Sequence, residues 1–115
     1  MIITELQPNE VFVFGSNASG AHGAGAALTA YEKFGAVWGQ GSGLQGRSYG
    51  IDTMSGFRTI EREVARFLEF AGEHPELRFL VTKIGCGIAG YTPAQIAPLF
   101  LSVPHNVVLP DEFVA

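Results

Sequence analysis

Ile84-Gly85-Cys86-Gly87-Ile88-Ala89-Gly90-Tyr91 follows the apolar run Phe79-Leu80-Val81-Thr82-Lys83 and precedes Thr92-Pro93. Three glycines within six residues, straight after a buried-type strand, leave the backbone nearly bare. Such backbone admits close approach by a ligand and the φ > 0 conformations that other residues resist. Thr92 can cap a helix, and Pro93 suits a first helical position. Strand, bare loop and helix, in that order, form the unit with which open α/β sheets bind phosphates and nucleotides.

A second unit of this kind lies near the start. Glu10-Val11-Phe12-Val13-Phe14 is apolar through four positions and predicts a central parallel strand covered on both faces. Gly15-Ser16-Asn17-Ala18-Ser19-Gly20-Ala21-His22-Gly23-Ala24-Gly25 is a polar, glycine-rich loop. It runs into a predicted helix over 26–34 that Gly35 terminates. Ten of the fifteen glycines fall between residues 15 and 50, so backbone needs shape this third of the chain more than side-chain packing does.

The remaining elements follow from periodicity. Ala36-Val37-Trp38 predicts a short strand, residues 39–46 a loop, and residues 48–53 a further strand. Ile60, Val64, Phe67, Leu68 and Ala71 recur at helical spacing, which predicts a helix over 59–74. Thr59 is its candidate N-cap, and Glu61 and Glu63 suit its first turn. Residues 77–84 predict a strand, and residues 93–102 a helix that Pro98 kinks or shortens. Asn106-Val107-Val108-Leu109 predicts a last strand. The order β-α-β-β-α-β-α-β implies a mostly parallel sheet between helices, in one α/β domain over residues 1–115. No repeat, linker or low-complexity tract interrupts it.

Composition narrows the function classes. Hydrophobic content of 47% with 16% charged residues excludes the disordered class. A formal charge of −4, with seven scattered basic residues, provides no electrostatic footprint for nucleic acid. A compact ligand with two phosphates still fits, because loop amides and helix N-termini bind it without a basic patch. One cysteine allows no disulfide framework and no zinc-ligand spacing, so neither metal nor cofactor is expected. There is no signal-peptide pattern and no apolar stretch of the roughly 18 residues that a membrane span needs. A cytoplasmic protein without a membrane partner is the expectation.

Each candidate residue carries two readings. Asn17 either offers its amide to a ligand or satisfies its own loop as an Asx-type turn. His22 is a general base or a loop histidine facing water. The small residues Gly23, Ala24, Gly25 and Ala26 open a helix as close approach of a pyrophosphate requires. No Gly-Lys-Ser/Thr follows, and Gly-x-Gly-x-x-Gly fails at Leu28, so neither a P-loop nor a nicotinamide site is expected. Cys86, between two glycines, is a small buried thiol or an activated one. Lys83 reaches a phosphate or faces solvent. Asp52 and Arg47 pair with each other or serve a ligand. Tyr91 gives a sugar or base a flat face, or anchors its loop in the core.

Taken together, these blocks resemble the macrodomain family, whose members bind ADP-ribose and its derivatives. Gly15-Ser16-Asn17 is similar to that family's Asn-bearing strand end, and His22-Gly23-Ala24-Gly25-Ala26-Ala27 to the stretch opening its first helix. Tyr49-Gly50-Ile51-Asp52-Thr53 stands where the family has the strand after that helix. Residues 84–90 resemble its second phosphate loop, closest to the branch that removes ADP-ribose from glutamate. The chain departs from that branch where Ala89 replaces an aspartate and where 36–38 holds no lysine. It also lacks the family's strands before Glu10, with their adenine-binding acidic residue, and the glycohydrolase signature. It looks most like small bacterial and phage macro-like proteins that share the Phe-Gly-Ser-Asn opening.

The resemblance implies a small three-layer α/β/α macrodomain-like sandwich with a truncated sheet. It implies a ligand-binding set of Ser16, Asn17, His22, Gly23, Ala24, Gly25, Ala26, Gly85, Cys86, Gly87, Ile88, Ala89, Gly90 and Tyr91. On this basis the chain binds or sequesters an ADP-ribose-type nucleotide, as a phage-type anti-defence sponge would. A hydrolase of ADP-ribosyl bonds, with Asn17 or Asp52 as candidate catalytic residues, and a partner-binding domain with a degenerate pocket are the alternatives. A truncated sheet leaves an uncovered edge, which predicts a homo-oligomer.

Overall fold

Glu10–Ser16 forms β1, and the strand sits at the centre of the sheet because nearly every residue in it is buried. In the computed structural model, which describes residues 3–114, β1 pairs in parallel with β3 (Ser48–Asp52) on one side and β4 (Arg78–Val81) on the other. β2 (Gly43–Gln45) runs antiparallel beside β3, and β5 (Val107–Val108) runs parallel beside β4. The order is β2-β3-β1-β4-β5, a mixed five-stranded sheet. The expectation of a mostly parallel sheet is thus modified at one edge.

Alternation along β1 divides the core. Phe12 and Phe14 point to one face, where they meet Ala27, Ala30 and Phe34 of and just after α1 (Gly25–Lys33). Val11 and Val13 point to the other, against Ile60, Val64, Phe67 and Ala71 of α2 (Phe57–Glu73). Phe67 meets Phe79 of β4 edge to face at 5.4 Å and lies 5.1 Å from Tyr49 of β3, so α2 straddles three strands. Burying each such side chain contributes about 1.5–3 kcal/mol. A helix therefore covers each face of the sheet.

Several boundaries differ from the periodic reading, each for a local reason. α2 begins at Phe57, two residues before Thr59, with Gly56 at its N-cap. Thr59 does not cap; its hydroxyl donates to Ser55 O at 3.1 Å. The predicted strand at 36–38 is irregular, whereas Gly43–Gln45, expected as loop, forms β2. α3 (Pro93–Ile96) starts in a capping box between Thr92 and Gln95 and tightens into the 3₁₀ turn Ala97–Phe100, where Pro98 falls. Asn106 directly precedes β5 and is buried. Its Nδ2 donates to the carbonyls of Ala71, His74 and Leu77, tying the end of α2 to the strand layer.

Candidate functional site

β1 and β4 are neighbours and parallel, so the loops that leave them emerge on the same side of the sheet. Those two loops wall a single cleft of about 630 Å³. One wall is Gly15 to Asn17, Ala21 and Gly23 to Ala27; the other is Thr82 to Ala89; Thr53 and Met54 also line it. Ser16, Asn17, Gly23, Ala24, Gly25 and Ala26 are brought together there with Gly85, Cys86, Gly87, Ile88 and Ala89.

Four other candidates do not line the cleft. His22 is fully buried behind the first loop. Its Nε2–H donates to Val37 O at 2.9 Å, with Gln45 Oε1 at 3.3 Å, and this leaves Nδ1 as the acceptor facing the Ser16 hydroxyl at 3.5 Å. The imidazole therefore knits the loop to residues 37–45 and faces no water. Asp52 prepares the start of α2: its carboxylate accepts from Met54 N–H at 3.0 Å and from the Ser55 hydroxyl at 2.6 Å. It does not pair with Arg47, whose guanidinium donates to Leu6 O and Gln7 O. Tyr91 is turned inward, with its ring 5.6 Å from Phe57 and its N–H donating to Gly85 O. Gly90 turns the chain at φ 85° and donates to Gly87 O.

The polar side chains that do line the cleft are largely occupied. Asn17 Oδ1 accepts from Ala21 N–H and the Ser19 hydroxyl, at 3.0 and 2.9 Å, and its Nδ2 donates to Ala21 O at 3.0 Å. That is the loop-satisfying alternative of the two readings of Asn17. The hydroxyls of Thr53 and Thr82 donate to Ser16 O and Val13 O. Lys83 Nζ lies 3.6 Å from the Glu112 carboxylate and is the one cation among the lining residues. Among the described residues no carboxylate and no imidazole lines the cleft.

The free polar groups are instead backbone amides. Ala24 caps α1 with no side-chain hydrogen bond, and no acidic residue stands in the first turn. The N–H groups of Gly25, Ala26 and Ala27 find no acceptor among the described residues, and the first helical bond is Leu28 N–H to Ala24 O. Across the cleft the N–H groups of Gly87, Ile88 and Ala89 are likewise without an acceptor among the described residues. A buried amide without a partner is costly, but one at an open cleft keeps its bond for water or an anion. The positive end of α1 adds to the attraction for negative charge.

Cys86 Sγ is half-buried, and burial pushes its thiol above the ordinary range while nearby Lys83 pulls the other way. Burial thus disfavours its thiolate. Among the described residues no cluster of His, Cys, Asp and Glu could hold a metal ion, and no helix is long and apolar enough to cross a membrane. No family model, curated protein or solved structure matches the chain.

Proposed function

We propose that this protein is a macrodomain-like binder of an ADP-ribose-type nucleotide, held in the cleft between the β1 and β4 loops. One observation carries the proposal: two runs of three residues, from separate loops, line one cleft, and their amides have no acceptor among the described residues. Two donor sets on facing walls suit two linked phosphates better than one. A volume of about 630 Å³ falls in the range of about 300–1,000 Å³ typical of small-molecule sites. Among the described residues no carboxylate lines the cleft, so a dianionic diphosphate meets no lining group of like charge, although the chain as a whole is acidic.

The same lining supports binding over hydrolysis. General acid–base chemistry needs a group within hydrogen-bond reach of the reacting atom. Asp52 is engaged at the start of α2, and Asn17 with its own loop. The role that follows is to hold or sequester a nucleotide signal. Calorimetric titration with ADP-ribose, ADP and cyclic ADP-ribose, followed by mass spectrometry of the recovered ligand, tests this. Saturable binding of an unchanged ligand is the expected result. Failure of all three to bind overturns the proposal, and a cleaved product replaces it with the hydrolase reading.

A further inference from the structure

A nucleotide has a base as well as phosphates, and nothing on the walls described so far is a flat, open surface for one. Tyr91 is turned onto Phe57. Among the described residues two aromatic side chains are exposed, Tyr31 at 46% and Trp38 at 54%. Neither lines the cleft, but Trp38 stands beside a residue that does. Trp38 Cη2 lies 3.9 Å from where a methyl group on Gly23 would sit, and Gly23 is a lining residue beside the start of α1.

The indole is exposed yet held in place. Tyr31 meets it edge to face at 5.4 Å, and the buried His22 ring meets it at 6.2 Å on an approach of the same kind. The segment carrying it is pinned at both ends of the contact: Gly39 N–H donates to Gly20 O at 2.9 Å, and Val37 is bonded through both its N–H and its carbonyl to Gln45 and His22. With about half of its surface open, a ring held by such neighbours can stack on a ligand at little entropic cost. Residues 36–38 are thus no strand; they form a rigid bracket.

Resting on the binding reading above, we infer that Trp38 is the stacking platform for the heterocyclic base of the nucleotide. The base lies outside the cleft proper, past Gly23, with the phosphates on the amides. Base–aromatic stacking tolerates any base, so Trp38 supplies affinity and leaves the identity of the base weakly specified.

Trp38 is the only tryptophan of the chain, so its fluorescence reports on this ring alone. In the wild-type protein, ADP-ribose is expected to quench the emission and to protect it from acrylamide, with the midpoint that calorimetry gives. W38A is expected to lose about 5- to 150-fold in affinity for ADP-ribose, while W38F retains most of it. Unchanged melting temperatures in both variants would separate stacking from support of the loop. Binding of ADP-ribose that leaves the emission and the W38A affinity unchanged overturns the platform and spares the binding reading. No binding by the wild-type protein overturns both. A ligand-free ring already shielded from acrylamide, in a protein that is dimeric in solution, would assign this face to a second copy and overturn the platform as well.

Discussion

Two regions of this chain are rich in glycine and put it to opposite uses. Between residues 35 and 50, glycine lets one stretch of backbone lie directly on another. A Cβ on Gly41 would stand 2.0 Å from Asn17 O, and one on Gly46 would stand 2.5 Å from Gly35 O. Between residues 85 and 90, Gly85 packs against Ile96, but the other two glycines face outward: a Cβ on Gly87 or on Gly90 would meet nothing within 4 Å. At Gly41 and Gly46 the protein's own main chain fills the space a side chain would need, whereas at Gly87 and Gly90 that space is open. Glycine content alone therefore does not identify a site. What distinguishes the regions is whether the freed space is filled by the protein itself.

The largest effect that can sharpen this contrast is Gly41→Ala. Its new methyl group meets a carbonyl oxygen of the backbone, which cannot swing aside as a side chain would. A loss of about 3–5 kcal/mol in urea unfolding is expected, or no folded protein at all. A loss below 1 kcal/mol would show that the contact between residues 17 and 41 yields easily.

Gly87→Val is expected to do the reverse. Its backbone is outside the left-handed region, so the expected penalty is steric toward the ligand and not conformational. Stability should change within about 0.5 kcal/mol, while ADP-ribose binding falls by tenfold or more as two or three amides are covered. A variant that binds normally would remove the 85–90 loop from the site.

Asn17→Ala comes next. Its side chain makes three hydrogen bonds within residues 17–21, so stability is expected to fall by about 1–2 kcal/mol, seen as a lower melting temperature. Weaker binding would follow from a loosened wall. Loss of affinity at unchanged stability would return Asn17 to the ligand.

The smallest effect belongs to Cys86→Ser, expected to alter stability by less than about 1 kcal/mol and binding hardly at all. The native thiol should titrate above the ordinary thiol range, because burial disfavours its thiolate. Its rate of alkylation should therefore rise at higher pH than that of the unfolded chain. A midpoint below the ordinary range would mark an activated thiol and reopen catalysis.

Local signals were legible and distant ones were not. The apolar face of α2 and the strand–loop–helix units around β1 and β4 follow from spacing within a dozen residues. β2 escapes because Gly-Leu-Gln has no alternation to read, and β3 supplies its reason to exist. His22 looks like any loop histidine until Val37 and Gln45, 15 and 23 positions away, close around it. Asp52 and Tyr91 stand close in sequence to lining residues but do not line the cleft themselves, one bonded ahead of α2 and the other packed on Phe57. The inward turn of Tyr91 and the outward turn of Trp38 depend on which face the core needs, which no local pattern records.

The amides of residues 25–27 and 87–89 belong to the main chain, and every residue but proline carries one. Substitution can crowd them but seldom remove them. A lineage could exchange most side chains around the cleft and still keep its donors in place, erasing the sequence record of ancestry faster than the chemistry. An inhibitor anchored on those six N–H groups would, by the same token, face few single-residue routes to resistance.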